Sequence, residues 1–407
     1  MFVKTLRCIS CSAEYEYGKL FACDKCGGFL EVLYDMESVK SVLEKGEFGK
    51  GSNLVEMYSV LLPIRDVKKA VSLGEGNTPL ILADRLAERL GLRRLYLKDE
   101  TRNPTGTFKD RSICVGVSVA KENGIVQVST ASTGNAGASL AAFSAKAGLT
   151  CHLIIPASAS PTKLVQAMVY GARIIPIEAS VDIALSLLRE AYEAWGWYPI
   201  PTSGPFNPYQ AEGAKTIAYE ISFRMRDQTP DWVIYPICGG DNIAANWKAF
   251  EELRELDLGP VPPRLVGVQA SACESLSEPL RMGHEQIRPV KNPQTIASSL
   301  RIEYPPTGLA ALRAIKNSRG VAMGVTDEEM LNAQNLLASR EGIFAEPASA
   351  SVVAALTQLV QTGVVTRSDT VVCVITGTGL KETTALQGKY TIPHSVPATM
   401  QGLLSLA

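Results

Sequence analysis

Four cysteines near the start of the chain have the spacing of a tetrahedral metal site. Cys8, Cys11, Cys23 and Cys26 read C-x2-C-x11-C-x2-C, and each thiolate pair can wrap one side of a zinc ion. Because four thiolates leave no open coordination position, the pattern predicts a structural zinc ribbon and not a catalytic metal centre. A redox-active pair is disfavoured because no βαβ pattern surrounds the motif.

Three junctions between predicted strands and helices are rich in small, hydroxyl and amide residues. They read Ser132-Thr133-Gly134-Asn135, Cys238-Gly239-Gly240-Asp241-Asn242 and Thr376-Gly377-Thr378-Gly379. Backbone N–H groups at a helix start suit a carboxylate or phosphate group, although an ordinary strand-to-helix turn also favours small residues. None is a dinucleotide fingerprint or a P-loop, since neither G-x-G-x-x-G nor G-x-x-x-x-G-K-[ST] occurs.

One lysine follows a Pro/Gly turn shortly after the strand-like segment LYLKDE. Lys109 lies in NPTGTFKDR at 103–111, and taken alone it has the pattern of a solvated surface lysine. The chain has only three histidines, and none lies in a sequence context typical of a catalytic triad. Together with the anion-binding loops, Lys109 therefore becomes a candidate Schiff-base lysine for pyridoxal phosphate.

The elements that position these residues are strand–helix units. From about residue 73, short β-branched runs alternate with Ala-rich amphipathic stretches, as in IVQVSTAS followed by NAGASLAAFSAKAGL. CHLIIPA, WVIYPICGG, RLVGVQA and TVVCVITG are further predicted strands, which gives at least five. We therefore expect an α/β fold with open, mostly parallel sheets, preceded by the ribbon at 1–35 and a connector at 36–72.

Composition excludes several classes of protein. The 407 residues carry 40 basic and 41 acidic side chains, for a net charge of -1, so no electrostatic field favours nucleic acid or an anionic membrane. The start, MFVKTLRCIS, lacks the apolar core of a signal peptide, and no apolar run approaches the roughly 20 residues that span a bilayer. These features predict a cytoplasmic protein.

Five motifs occur in a characteristic order. GEGNTPL at 74–80, NPTGTFKDR at 103–111, ASTGNAG at 131–137, AEPASA at 345–350 and TGTGLKE at 376–382 together resemble the threonine synthase family of fold-type II pyridoxal phosphate enzymes. The resemblance implies two domains with the cofactor in the cleft: a large domain at 73–109 and 196–390, and a small closing domain at 110–195. It also implies a homodimer, and residues 391–407 would form a tail.

The same resemblance implies roles for individual residues. Lys109 would form the Schiff base with the cofactor and move the proton at the substrate α-carbon. Asn135 would bind the cofactor 3'-oxygen, and Thr376 would face the pyridine nitrogen with a neutral hydroxyl, which favours elimination and replacement over transamination. The substrate carboxylate would be held by Ser132, Thr133 and Gly134, and the cofactor phosphate by Gly239, Gly240, Asp241 and Asn242.

Two segments depart from the family pattern. Asp241 introduces a carboxylate into the loop for the cofactor phosphate, so it must point away or be protonated. Where the family reads N-S-x-N-P-[YH]-R-x-E-G and uses the Asn, Ser and Arg to bind the substrate phosphate, this chain has Gly204, Pro205 and Gln210. Gln210, at the position of the Arg, stays a candidate substrate-binding residue. Loss of a bidentate guanidinium costs on the order of 2 to 4 kcal/mol of phosphate binding.

These departures leave alternatives open. Another cation, such as Arg281, Arg301 or Lys316, could restore the charge, and the protein would then convert O-phospho-L-homoserine and water to L-threonine and phosphate as a lyase. Alternatively, it is a β-elimination or β-replacement enzyme acting on an unphosphorylated amino acid such as threonine or serine. A third reading is a protein that binds pyridoxal phosphate without turnover.

Overall fold

The computed structural model describes residues 1–43, 48–132, 134–157, 159, 161–226, 228–259, 261–284, 286–390, 392 and 394–404. Its strands are β1 Val3–Cys8, β2 Glu14–Tyr15, β3 Leu30–Tyr34, β4 Leu80–Leu82, β5 Arg94–Asp99, β6 Gln127–Thr130, β7 Thr150–Pro156, β8 Arg173–Ile177, β9 Tyr198–Pro199, β10 Trp232–Pro236, β11 Arg264–Ala270, β12 Val321–Val325 and β13 Thr370–Ile375.

The α-helices are α1 Met36–Leu43, α2 Leu54–Tyr58, α3 Asp84–Leu90, α4 Lys109–Glu122, α5 Asn135–Ala147, α6 Pro161–Val169, α7 Val181–Trp195, α8 Ala211–Ala214, α9 Thr216–Arg224, α10 Asp241–Glu255, α11 Ser277–Arg281, α12 Gly308–Asn317, α13 Asp327–Glu341, α14 Pro347–Gln361 and α15 Met400–Leu404. Short 3-10 turns lie at Ser59–Leu61, Val67–Lys69, Glu100–Arg102, Ser271–Cys273, Ser298–Leu300, Gly379–Lys381 and Thr383–Leu386.

Two sheets form the body of the protein. The larger has the strand order β12-β11-β10-β13-β5-β4, and the smaller has the order β8-β7-β6-β9. All their pairings are parallel except β4 with β5. The central strand β13 reads TVVCVI and is buried at every position, as expected for a strand covered by helices on both faces. The predicted α/β fold with mostly parallel sheets is confirmed, while the domain boundaries at 110 and 195 stay a prediction.

The N-terminal segment forms a separate antiparallel sheet of order β2-β1-β3. The sequence predicts the runs Glu14 to Tyr17 and Phe29 to Tyr34 as the strands of the ribbon, and β2 and β3 lie within these runs, whereas β1 is an additional strand. It reads VKTLRC, and only Leu6 and Cys8 in it are fully buried. Two buried positions are too short an alternation of buried and exposed residues to indicate a strand by themselves, and β1 is defined by its pairing with β3. In register, Cys8 pairs with Leu30, which brings the two cysteine loops to the same end of the sheet.

The N-terminal sheet is fastened to the body through buried charges. The Tyr34 hydroxyl donates to Glu212 Oε2 at 2.8 Å, and the ammonium of Lys248, on α10, donates both to Glu212 and to the backbone carbonyl of Val32. Lys215 donates to the same Glu212 carboxylate at 2.6 Å. The Glu212 carboxylate therefore accepts hydrogen bonds both from the N-terminal segment and from the body of the protein. Separately, none of the described helices has the length and apolar character needed to span a bilayer.

Candidate active site

Lys109 is the first residue of α4 and sits where the 103–108 turn meets the end of β13. The turn is held by hydrogen bonds from Phe108 N–H to Thr376 O at 2.9 Å and from Thr378 N–H to Gly106 O at 2.9 Å. The Lys109 amine donates to Thr202 Oγ1 at 3.0 Å. Burial lowers the pKa of Lys109, and the carboxylates of Asp241 and Glu346 oppose this by favouring the charged amine. A lowered pKa increases the fraction of neutral, nucleophilic amine.

The residue after the lysine anchors the first turn of α4. The Asp110 carboxylate accepts hydrogen bonds from Thr105 N–H at 2.7 Å, from Thr105 Oγ1 at 2.6 Å and from Ser139 Oγ at 2.6 Å. Thr105 belongs to the turn before Lys109 and Ser139 to helix α5, so one buried carboxylate connects both sides of the lysine. The short side chain of Asp110 thereby limits the positions that the Lys109 backbone can take.

The next residue, Arg111, is fully buried between two glutamates. Its guanidinium donates to both oxygens of Glu100, at 2.6 and 2.9 Å, and to both oxygens of Glu220, at 2.6 and 2.8 Å. Lys98 donates to Glu220 and to the carbonyl of Thr78. The GEGNTPL motif therefore contributes the Thr78 carbonyl to this ion network, and NPTGTFKDR contributes the central cation, Arg111.

Asn135 begins helix α5 and faces a glutamate across the cleft. Its Nδ2 donates to Glu346 Oε1 at 3.1 Å and Oε2 at 3.2 Å. Burial raises the pKa of Glu346 to about 7; the neighbouring Glu382 adds to the effect, while Asn135 and Lys381 oppose it. Glu346 lies in the AEPASA motif but was not predicted as a site residue. The sequence feature that could have identified Glu346 is its position directly before Pro347, the first residue of α14.

We expect Glu346→Gln to change how stability depends on pH. The folded protein holds the carboxyl proton up to pH about 7, whereas an unfolded glutamate releases it near its ordinary pKa. Raising the pH between these values therefore removes stability, by up to about 3 kcal/mol. Urea unfolding at pH 5 and pH 7.5 measures the loss, which should be smaller in Glu346→Gln than in the wild type. Glu328→Gln, at an exposed position, is the matched control, and equal losses in both variants would contradict this assignment.

Thr376 ends strand β13 and carries a neutral hydrogen-bond network. Its Oγ1 lies 2.8 Å from Ser349 Oγ, and that serine oxygen also accepts from Gly377 N–H at 2.7 Å. Both hydroxyls are buried. A pyridine nitrogen placed against this pair would meet a hydroxyl and not a carboxylate, which is the arrangement that the family resemblance implies for Thr376.

The glycine loop before α10 has the features of an anion site. Gly240 has a φ of +93° and caps α10. Asp241 Oδ1 accepts from Gly204 N–H at 2.7 Å and from Thr307 Oγ1 at 2.8 Å, so these two donors hold that carboxylate oxygen. Burial raises the pKa of Asp241. Nearby, Asn242 Nδ2 is buried without a partner among the described residues. A helix start with an unpaired amide donor fits the phosphate of pyridoxal phosphate.

The residues predicted to hold the substrate carboxylate lie at the start of α5. Gly134 caps this helix, with open space where a side chain would extend, and its N–H donates to Ser132 Oγ at 3.3 Å. Thr133 lies outside the described residues. Gly134 and Asn135 line a cleft cavity of about 260 Å³, together with Ser298, Ser299, Glu346 and Lys381. The cavity thus has loops from both sheets on its walls.

Gln210, at the position of the family arginine, supports a turn of the backbone. It is buried, its Oε1 accepts from Thr202 N–H at 2.9 Å, and its Nε2 donates to Ser203 O at 3.1 Å. Thr202 has a φ of +53°, a conformation that costs a β-branched residue of order 1 to 3 kcal/mol. Gln210 therefore holds a strained residue whose hydroxyl contacts Lys109. Thr202 had no signal in the sequence, because its role depends on this tertiary contact.

The three cations considered as replacements for the family arginine do not reach the cleft cavity. Arg281, Arg301 and Lys316 are absent from its lining and have exposed side chains. Arg281 forms an ion pair with Glu274 at 3.4 Å. Among the described residues, the cation in that cavity is Lys381, which burial gives a lowered pKa. Lys381 lies in the TGTGLKE motif, but the sequence alone indicated no role for it.

The four predicted metal ligands come together at the end of the N-terminal sheet. The sulfur atoms of Cys8, Cys11, Cys23 and Cys26 all lie within 4.8 Å of one another. The Cys8–Cys26 and Cys11–Cys23 sulfur distances are 3.4 and 3.6 Å, close to the edge of about 3.8 Å expected for a tetrahedron with Zn–S bonds of about 2.3 Å. The arrangement can hold one tetrahedral metal ion.

Comparison with known proteins identifies the family and the fold. Residues 71–377 match the family model described as pyridoxal-phosphate dependent enzyme. The threonine synthase of Methanocaldococcus jannaschii is 42% identical over 92% of each chain, and that of Methanosarcina acetivorans is 41% identical over 93% of this chain and 92% of its own. Among solved structures, maize serine racemase shares the fold, with a TM-score of 0.67 at 22% identity over 77% of this chain and 92% of that one.

The fold, the lysine at the cleft and these similarities lead to one family. The match to the family model covers most of the chain, and the two archaeal relatives align with it almost from end to end. The chain belongs to the threonine synthase family of pyridoxal-phosphate dependent enzymes.

Proposed function

We propose that the protein is a lyase that converts O-phospho-L-homoserine and water to L-threonine and phosphate. The observation that carries the proposal is the similarity to two threonine synthases over more than nine-tenths of the chain. The site is compatible with this chemistry because Lys109 follows Phe108, whose N–H donates to Thr376 O, and because the Lys109 amine lies close enough to Asp241 and Glu346 for their charges to affect its pKa. The roles of the individual residues are part of the proposal.

Bound pyridoxal phosphate would supply an electron sink for negative charge at the substrate α-carbon. The residues of the chain transfer protons, bind the substrate and hold the cofactor. The Lys109 amine moves protons at the α-carbon, for which burial prepares it by lowering its pKa. The amide of Gly134 holds the substrate carboxylate at the start of α5, and Asn135, oriented by Glu346, binds the cofactor 3'-oxygen. The hydroxyl of Thr376 limits protonation of the ring nitrogen.

The test is the release of phosphate and threonine from O-phospho-L-homoserine by the protein loaded with pyridoxal phosphate. Equimolar release of the two products is expected. L-Serine and L-threonine are assayed in parallel for keto-acid formation. A protein that forms keto acids but releases no phosphate from O-phospho-L-homoserine would contradict the proposal.

A second candidate function is β-elimination or β-replacement on an unphosphorylated amino acid. It is favoured by Gln210, whose amide oxygen and nitrogen both bond to the turn backbone where the family uses an arginine. Keto-acid formation from serine or threonine at a rate above that on O-phospho-L-homoserine would establish this alternative.

We also propose that the four-cysteine cluster holds a structural zinc ion. Metal analysis of the purified protein should give one zinc per chain, and Cys23→Ser should lose it, because three thiolates and a hydroxyl bind zinc more weakly. Cys273→Ser, a buried cysteine in the body, is the control and should retain the metal. Full zinc content in Cys23→Ser would refute the site.

The proposed assembly is a homodimer, as the family resemblance implies. Sedimentation of the purified protein should give twice the chain mass, and a monomer that retains full activity would contradict this.

A further inference from the structure

One residue of the ribbon reaches the turn that contacts Lys109. The ring of Phe29 packs directly against the backbone of Gly204. A Cβ atom at position 204 would lie 2.2 Å from Phe29 Cε2 and 2.6 Å from its Cδ2, far inside van der Waals contact. Glycine is therefore required at 204 because the aromatic ring fills the space of a side chain.

The backbone at Phe29 is fixed by the cysteine loops. Phe29 follows Gly28 directly, and Gly28 O accepts from Cys23 N–H at 2.8 Å. The carbonyl of Phe29 accepts from Ile9 N–H at 3.0 Å, in the first cysteine loop. The ring is thus attached to backbone that is hydrogen-bonded to both cysteine loops, and its position follows that of the two loops.

The turn beneath the ring connects to the cofactor site by two routes. Gly204 N–H donates to the Asp241 carboxylate, in the loop for the cofactor phosphate. Two residues earlier, Thr202 receives the hydrogen bond from Lys109 while its own backbone is in the left-handed region. A displacement of Gly204 would therefore change the surroundings of Asp241 and of Lys109 together.

Two other ribbon contacts lie along the same segment. Phe21 N–H donates to Phe206 O at 3.2 Å, and Gly18 N–H donates to the Tyr209 hydroxyl at 2.6 Å. The ribbon therefore covers the segment 204–209 along its length. This is the segment in which the chain departs from the family pattern at Gly204 and Pro205.

From these contacts we infer that Phe29 is a positioning residue of the active site. The ribbon presses its ring against Gly204, and this contact keeps the Thr202 hydroxyl at Lys109 and the Gly204 amide at Asp241. The ring occupies the space that any side chain at position 204 would need, so the ribbon and not a side chain of the turn fills this space. The inference deepens the proposed function and rests on it for its activity measurement.

A double-mutant cycle on the zinc-containing, pyridoxal-phosphate-loaded protein tests the inference. Phe29→Ala removes the support, and kcat is expected to fall about 10- to 100-fold, with KM changing less. Gly204→Ala introduces the clash and is expected to cost about 100-fold in kcat/KM. In the Phe29→Ala background the same Gly204→Ala change should cost less than about threefold further, because the ring is gone.

Three controls separate positioning from a general loss of structure. Phe2→Ala makes the same truncation at the far end of the ribbon sheet, where Phe2 O accepts from Asp35 N–H, and should leave kcat unchanged. Phe29→Leu keeps bulk against Gly204 and should retain activity within about threefold of wild type. Zinc content and the absorbance of the bound cofactor are recorded for every variant, and zinc should stay at the wild-type level in Phe29→Ala.

The inference is overturned if Gly204→Ala costs the same factor in both backgrounds, or if Phe2→Ala lowers kcat as much as Phe29→Ala. If the wild-type protein does not act on O-phospho-L-homoserine, the proposed function fails and the cycle is instead read from the absorbance of the bound cofactor. Recovery of the wild-type spectrum in the double variant relative to Gly204→Ala would then still support the positioning role, and additive spectral changes would refute it.

Discussion

Replacement of Lys109 by alanine is expected to abolish turnover while the protein remains folded. The amine is proposed both as the covalent anchor of the cofactor and as the group that moves the α-proton, so its loss should lower kcat about 10³-fold or more. The fold should tolerate the change, because the described contacts of Nζ are a single hydrogen bond to Thr202 and the face of the Phe108 ring. Alanine also favours the first turn of α4.

Product release and cofactor absorbance measure the Lys109→Ala effect. The variant should lose the absorbance band of covalently bound cofactor along with its activity. Lys121→Ala, at an exposed position near the other end of α4, is the control and should keep both. Turnover by Lys109→Ala at more than a few per cent of the wild-type rate would refute the assignment of this lysine.

Arg111→Met is expected to be the most destabilising single change in the body. The guanidinium lies fully buried and makes bidentate contacts with both Glu100 and Glu220. Methionine fills much of the volume but leaves two buried carboxylates with Lys98 as their remaining cation. Breaking a buried ion network by removing one partner costs about 3 to 5 kcal/mol, and we expect a loss of that size in the free energy of unfolding.

Urea denaturation measures the effect of Arg111→Met. Arg102→Met, an exposed arginine shortly before Lys109, is the matched control and should change stability by less than about 0.5 kcal/mol. Equal stability of the two variants would mean that the buried network contributes nothing to folding. Because Arg111 lies two residues after Lys109, we also expect Arg111→Met to weaken cofactor retention before the protein unfolds.

The sequence predicted the parts of the site that depend on local chemistry. The strand–helix alternation identified β6, β7 and β10, each a short β-branched run followed by a helix-forming stretch, and the runs RLVGVQA and TVVCVITG identified β11 and β13. The four-cysteine cluster was recognisable because its spacing within the chain already reflects two knuckles, whereas Lys109 became a candidate only in combination with the anion-binding loops. The order of the motifs then gave the family.

The remaining contacts depend on which distant segments meet. Glu346 was quoted in a motif, but its pairing with Asn135 joins positions 211 residues apart. By sequence Gln210 replaces an arginine and is a candidate substrate-binding residue, whereas in the structure its amide holds Thr202 in a strained conformation that no local pattern indicates. By sequence Phe29 is an ordinary phenylalanine of the ribbon, and its inferred positioning role depends on the packing of its ring against Gly204.

We expect the Glu212 cluster to make the ribbon and the body unfold as one cooperative unit. Tyr34 and the Val32 carbonyl form hydrogen bonds with two buried charged residues, Glu212 on α8 and Lys248 on α10. Separating the ribbon from the body would therefore remove hydrogen-bond partners from Glu212 and Lys248. Opening of the ribbon alone should therefore be rare in native-state hydrogen exchange, and its amides should exchange together with those of α10. A chain shortened to begin after residue 35 would need compensating changes at 212 and 248 to fold well.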